Sequence, residues 1–290
     1  MHTRRGRECT KVREWKIVGV DRLEENLRAV RARIDAAARA AGRDPADVRL
    51  VAISKTWPAD DVRALAALGQ VDFGENRVQE LAGKAAALAD VPVRWHFVGQ
   101  LQRNKAAAVA ALGAVVHSVD RSSLAGALDR AGQRSGVPVD VLVQVDLGGP
   151  EGELAARGGA APGDVPQLAD LVAGAPGLRL LGLMAVAPRG VPPGPAFDAL
   201  AALAERVRAD HPEARELSAG MSADLEEAVA AGATLVRVGT AIFGDRPLPC
   251  DGSGQQQARE SHPSRGPREP LGTAIAHRDG PAGHSGGGGV

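Results

Sequence analysis

VRLVAISKTWPADDVRALAALGQVDFGEN (Val48–Asn76) holds one full repeat of the pattern that organises this chain. A short apolar run, Arg49–Ser54, meets a Thr-Trp-Pro break; a helix begins at Asp60; a second apolar run follows at Val71–Gly74. Two strands joined through a helix read as a parallel βαβ unit. The first strand ends in Lys55, an ammonium group at the end of a run that otherwise reads as buried. Long side chains reach water from strand ends, so Lys55 is either a snorkelling residue or a reactive amine.

The same alternation runs outward in both directions. Upstream, Asp21–Gly42 carries Leu23, Leu27, Val30, Ile34 and Ala38 at three- and four-residue intervals, one apolar helical face. Downstream, further strands are expected at Arg94–Val98, Val115–Val119, Val139–Val145, Leu180–Val186, Ala214–Ser218 and Leu235–Val238, with Ala-rich helices between them. With the first two, these make eight strands. Strict alternation implies a parallel sheet with helices outside it, and eight units close a (β/α)8 barrel. An open doubly wound sheet is disfavoured, because no strand leads into a Gly-x-Gly-x-x-Gly turn or a Walker A loop.

In such barrels chemistry gathers at the C-terminal ends of the strands. Here those ends read FGENRVQE, WHFVGQLQRNK, HSVDR, LSAGMS and VRVGTAIFG, rich in polar groups and glycine. The last two loops suit a phosphate. Gly220 and Gly239 permit close backbone approach, Thr240 adds a hydroxyl, and Ser222 is expected to cap a helix whose N–H groups face an anion. Taken alone, SAGMSADLEEA reads rather as a plain glycine turn before a capped helix; the matching Gly-Thr after strand eight favours the phosphate. A phosphate cradle opposite a strand-end lysine suggests pyridoxal 5′-phosphate, whose aldehyde condenses with a lysine amine. Arg237 is the expected cation, either lowering the lysine's proton affinity or facing the ring nitrogen.

Composition excludes several alternatives. The 290 residues carry 35 basic and 35 acidic side chains, which argues against nucleic acid or an anionic membrane as partner. LQRNK (Leu101–Lys105) reads as a solvated basic face. Two cysteines, Cys9 and Cys250, suggest neither a disulfide framework nor a metal site, and no apolar run reaches the roughly 18 residues of a membrane span. A cytoplasmic location is expected. Residues 1–20 are expected to be disordered or a spurious extension, residues 21–246 to form the barrel, and the Gly-, Pro- and Ser-rich stretch 247–290 to be a disordered tail.

The motifs VAISKT, FGENRVQE, WHFVGQLQRNK, HSVD, GLM and LSAGMSADLEEAVAAGATLVRVGTAIFG are similar, in order, to those of the pyridoxal phosphate homeostasis proteins, the YggS/PROSC family. The resemblance spans roughly Asp21 to Arg246. It implies a single fold-type III barrel like the N-terminal domain of alanine racemase, without that enzyme's C-terminal β domain. It implies pyridoxal phosphate held as a Schiff base on Lys55, phosphate contacts from Ser222, Gly239 and Thr240, and Arg237 facing the pyridine nitrogen. Asn76 near the ring is a further carry-over. His96 is another, with simple packing in its strand as the competing reading. Ala219 stands where the family usually has Met, and Asp146, in a lengthened loop, where Asn is common.

The implied function is intracellular homeostasis of pyridoxal phosphate: a monomeric, non-catalytic carrier with no catalytic residue and no metal, and with pyridoxal phosphate-dependent apo-enzymes as recipients. Racemases of this fold use a tyrosine as second base, and this sequence has none. A cation at the pyridine nitrogen also weakens the ring as an electron sink. The alternative is a slow fold-type III enzyme, racemase-like, using Lys55 as its one base. A cofactor-free lysine aldolase is a third reading.

Overall fold

In this computed structural model the backbone is described for residues 5–148 and 158–244, and side chains from Asp21 onward. The chain divides into units 1–246 and 247–290. The second unit, where a disordered tail is expected, lies outside the described residues, as does most of the long loop after strand five.

Eight parallel strands close in sequence order into a barrel: β1 Arg49–Ile53, β2 Asp72–Glu75, β3 Arg94–Phe97, β4 Val115–Val119, β5 Val139–Val145, β6 Leu178–Ala185, β7 Glu216–Ser218 and β8 Leu235–Val238. β8 returns to β1 with Val51 beside Arg237 and Ala52 beside Val238. Both faces of β1 are buried, which is why its sequence is a continuous apolar run rather than an alternation. Leu50 and Ala52 join the outer core beneath the helices, while Val51 and Ile53 point inward to meet Val115, Leu142, Met184 and Leu235.

The surrounding helices are α1 Arg5–Ala40, α2 Ala59–Ala67, α3 Val78–Ala87, α4 Ala106–Ala110, α5 Ser122–Ser135, α6 Val165–Ala173, α7 Gly194–Asp210, α8 Leu225–Ala230 and α9 Thr240–Phe243. The apolar periodicity marks α1 only from Asp21, whereas the helical backbone is continuous from Arg5. α9, after the last strand, is a single turn. The long α1 covers the same side: it packs against α2, α8 and α9, with Leu23, Leu27, Val30, Ile34 and Ala38 all buried. Arginines on α1 and just beyond its end satisfy carbonyls that helix ends leave open. Arg31 donates to Leu68 O and Gly69 O beyond α2, and Arg43 donates to Val229 O and Ala233 O at the end of α8.

Register shifts in two pairings shape the barrel, that of β4 with β5 between Val116 and Val119 and that of β5 with β6. The pairing of β5 with β6 steps from Val141–Leu180 to Leu142–Gly182, so β6 holds an extra residue. Gly182 sits at φ +150, and a Cβ there would lie 1.9 Å from Glu216 O. Only glycine fits this bulge.

Candidate functional site

Two residues fix the direction in which Lys55 leaves β1. Ser54 before it is buried, its hydroxyl donating to Glu75 Oε1 at 2.7 Å and its carbonyl accepting from Lys84 Nζ at 2.6 Å. Lys84 also pairs with Glu75 Oε1 in the same buried knot. Burial pushes the Glu75 carboxyl up, against the opposing pull of its bonds to Lys84 and Ser54. Thr56 after it has φ +70, the one described non-glycine residue in the left-handed region, and its N–H donates to Glu80 Oε2 at 2.8 Å. Such a backbone conformation costs about 1–3 kcal/mol and persists where its surroundings over-determine it. Trp57 continues the turn and stacks on Phe243 at 5.7 Å, tying the end of β1 to α9.

Lys55 is half-buried at the wall of a cleft of about 440 Å³ at the C-terminal rim. Asn76, Met184, Met221, Ser222, Arg237, Gly239 and Thr240 share that wall. Six of the seven residues singled out in the sequence are thereby brought together: Lys55, Asn76, Ser222, Arg237, Gly239 and Thr240. His96 is not on this wall. It lies two residues before Val98, which does line the cleft, so the period of the strand carries its ring to the inside of the barrel below the rim. There it is buried with both nitrogens engaged, Nε2 on Asp72 and Nδ1 on His117, each at 2.8 Å.

The phosphate end differs from expectation in one respect. The helix after β7 begins at Leu225, with Asp224 in the cap position, so Ser222 is not an N-cap. Asp224 Oδ1 instead accepts from Met221 N at 2.5 Å and draws the loop tight. The Ser222 hydroxyl reaches across to the segment after β8, where it accepts from Ala241 N in the first turn of α9 at 3.3 Å. The loops after β7 and β8 therefore face one another. At Gly239 a Cβ would stand 3.2 Å from Ile53 O, so a side chain there would crowd the space beside β1. α1 braces both loops from behind: Arg33 donates to Ser222 O at 3.1 Å and pairs with Glu226, and Asn26 donates to Ile242 O at 2.8 Å.

Arg237 stands inside β8 with 5 % of its surface exposed. Its Nη1 donates to Ser218 Oγ at 2.7 Å and its Nη2 to Ala185 O at 2.8 Å. Burial pulls its pKa down to about 10, against a smaller upward pull from Asp224, so it keeps its charge at neutral pH. Sequence reasoning passed over Asp72, Ser218 and the Glu75–Lys84 pair. The signal for the first two was strand parity, because residues two apart share a face. Ser218 is the last residue of β7, His117 lies two residues beyond the inward Val115, and Arg237 two beyond Leu235.

A larger cavity of about 530 Å³ opens at the opposite rim among Arg49, Glu216 and Thr234, at the N-terminal ends of their strands. Volume alone would favour it, but it holds none of the residues gathered around Lys55, and barrel chemistry belongs to the other rim. Among the described residues no group of acidic, His or Cys side chains is arranged to hold a metal, and no helix is long and apolar enough to cross a membrane.

The family model for the N-terminal domain of alanine racemase matches residues 21–247. Pyridoxal phosphate homeostasis proteins of Pseudomonas aeruginosa and Mycobacterium tuberculosis are 46% identical over 224 residues and 43% identical over 242. These matches span 77% and 78% of this chain, and 96% and 93% of the two relatives. PipY of Synechococcus elongatus, solved with PLP bound, has a TM-score of 0.67 at 35% identity, over 77% of this chain and 100% of its own. Alanine racemase of Streptomyces coelicolor shares the fold, with a TM-score of 0.62 at 22% identity over 78% of this chain and 58% of its own. Matched along almost the whole length of relatives that carry the description, the chain belongs to the pyridoxal phosphate homeostasis proteins, built on the barrel of the alanine racemase N-terminal domain.

Proposed function

We propose that the protein binds pyridoxal 5′-phosphate in the Lys55 cleft and serves intracellular homeostasis of that cofactor as a carrier, without efficient catalysis. The observation that carries this reading is the convergence, on one cleft of about 440 Å³, of a positioned lysine, a buried arginine and two facing loops around Ser222, Gly239 and Thr240. These residues fit the group. The Ser222 hydroxyl and the loop N–H groups suit an anion, Gly239 keeps the approach to β1 open, and Arg237 offers a fixed charge to an acceptor nitrogen. When bound, pyridoxal phosphate supplies an aldehyde for the lysine amine and a ring able to withdraw electrons.

The chain's own residues govern the rest. Ser54 and Thr56 aim Lys55 into the cleft. Arg237, charged and buried, opposes protonation of a nitrogen placed beside it and so limits how strongly the ring can withdraw electrons. The sequence holds no tyrosine to serve as a second base opposite Lys55. A protein so furnished retains the cofactor better than it exploits it. Its partners in this reading are pyridoxal phosphate and the apo-enzymes that receive it, and it acts as a monomer in the cytoplasm.

The test is absorbance of the purified protein with added pyridoxal phosphate, before and after borohydride reduction. Visible absorption that reduction converts to a stable adduct on Lys55, and that Lys55→Ala lacks, is expected. Amino acids should then give turnover far below that of a racemase. Rapid racemisation would instead support the one-base enzyme, and absence of any binding would overturn the assignment.

A further inference from the structure

Asp72, His96, His117, Ser218 and Arg237 come from five different strands, and they meet inside the barrel as one chain of hydrogen bonds, with Arg94 Nε 3.4 Å from the same Asp72 oxygen at its end. Asp72 Oδ1 lies 2.8 Å from His96 Nε2, His96 Nδ1 2.8 Å from His117 Nε2, His117 Nδ1 2.9 Å from Ser218 Oγ, and Ser218 Oγ 2.7 Å from Arg237 Nη1. Each residue has at most 7 % of its surface exposed. The neighbouring interior is apolar, with Val51, Ile53, Val115, Leu142 and Leu235. Packing alone would be met more simply by aliphatic residues, since every buried polar group left without a partner costs about 1–3 kcal/mol.

We propose that Asp72, His96, His117 and Ser218 form a one-directional relay that positions Arg237 and fixes both histidines as neutral tautomers protonated on Nε2. The direction follows from the two ends. A guanidinium can only donate and a carboxylate can only accept. Ser218 Oγ accepts from Arg237, and its single proton is left to donate to His117 Nδ1. His117 then carries its hydrogen on Nε2 and donates to His96 Nδ1. His96 carries its own on Nε2 and donates to Asp72. All four bonds are satisfied with neither ring charged; the proton positions are assigned from this network. The opposite direction requires an extra proton. His96 would become an imidazolium, His117 would donate from Nδ1, and the Ser218 hydroxyl proton would lose its acceptor. The added cation would also join Arg237, Arg49 and Arg94, the positive groups already acting on this chain.

Polarisation along the relay gives it a function. The negative charge of Asp72 makes each successive nitrogen a better acceptor, up to Ser218 Oγ, which takes the N–H of Arg237. With Nη2 held by Ala185 O, the plane of the guanidinium is set at the cleft. Asp72, His96, His117 and Ser218 are thus positioning residues for Arg237, and the part that concerns pyridoxal phosphate rests on the function proposed above.

Two measurements test this. Long-range proton–nitrogen correlation spectra of 15N-histidine-labelled protein, without cofactor, should show His96 and His117 neutral and protonated on Nε2 at pH 7.5, and Asp72→Asn should release His96 from that single tautomer. Titration with pyridoxal phosphate should show His117→Phe weakened about tenfold, the loss of one well-made buried hydrogen bond, with an altered cofactor absorption. His117→Gln keeps a donor and an acceptor and should recover part of both. Either histidine protonated on Nδ1 would overturn the relay, as would a folded His117→Phe with unchanged affinity and spectrum. If the wild type binds no pyridoxal phosphate, the functional assignment fails while the tautomer measurement still decides the relay.

Discussion

His117 shows what the barrel interior does to a single group. Its pKa lies well below the ordinary histidine value, first through burial and then through His96, Arg237 and Arg49. The unfolded chain takes up a proton near pH 6.5 while the folded chain does not, so this contribution to stability is present above about pH 6.5 and lost as the pH falls below it. The slope reaches at most about 1.4 kcal/mol per pH unit. Denaturant unfolding at pH 7.5, 6.5 and 5.5 should follow it, and His117→Gln should flatten the dependence. Asp72 behaves as the mirror case in a lower window. Burial pushes its carboxyl up, but the His96 hydrogen bond and the charges of Arg94 and Arg49 outweigh this and hold it below the usual range. Its contribution is present above the unfolded value of about 3.9 and disappears only as the pH falls through the folded one.

At the scale of elements, the site depends on pieces that never touch the cleft. The β6 bulge at Gly182 sets the pairing of β6 with both neighbours, through Leu142 on one side and Glu216 on the other. Gly182→Ala forces a Cβ against the backbone of β7 and strains an already unusual φ, so a loss of about 3 kcal/mol or more is expected in denaturant titration. α1 acts from further away. Arg33 meets Glu226 and the Ser222 carbonyl on a partly exposed helix face, so Arg33→Ala should cost no more than about 1 kcal/mol of stability. Its larger effect is expected on the phosphate loop: a several-fold weaker uptake of pyridoxal phosphate with nearly unchanged thermal unfolding would show that α1 braces the site.

For the molecule as a whole, α1 is part of the barrel's closure. The helix after β8 is one turn long, and the face it leaves is covered by Leu23, Leu27, Val30, Ile34 and Ala38. A chain lacking residues 1–40 would expose that surface across α2, α8 and α9, and hydrophobic burial is the main favourable term in folding. Circular dichroism of such a chain should show no cooperative thermal transition, whereas the full chain should show one.

Much of this was legible in the sequence because its periods are local. Apolar runs separated by helices, repeated eight times, define a parallel barrel, and the residues at the ends of its strands are consecutive along the chain. Lys55, Asn76, Arg237, Gly239 and Thr240 could therefore be named as rim residues before their positions were known. Ser222 was named for the wrong local reason, since Asp224 takes the cap position and Ser222 reaches the segment after β8 instead. For His96 the family resemblance implies a place near the cofactor and its strand implies simple packing; depth along the barrel axis, which separates the two, is not visible in sequence. Only closure of the sheet decides which inward residues share a layer. That closure brought Asp72, His96, His117 and Ser218, spread over more than a hundred positions, into one line ending on Arg237. Contacts of that separation depend on stagger and twist accumulated around the whole barrel, and no window of sequence contains them.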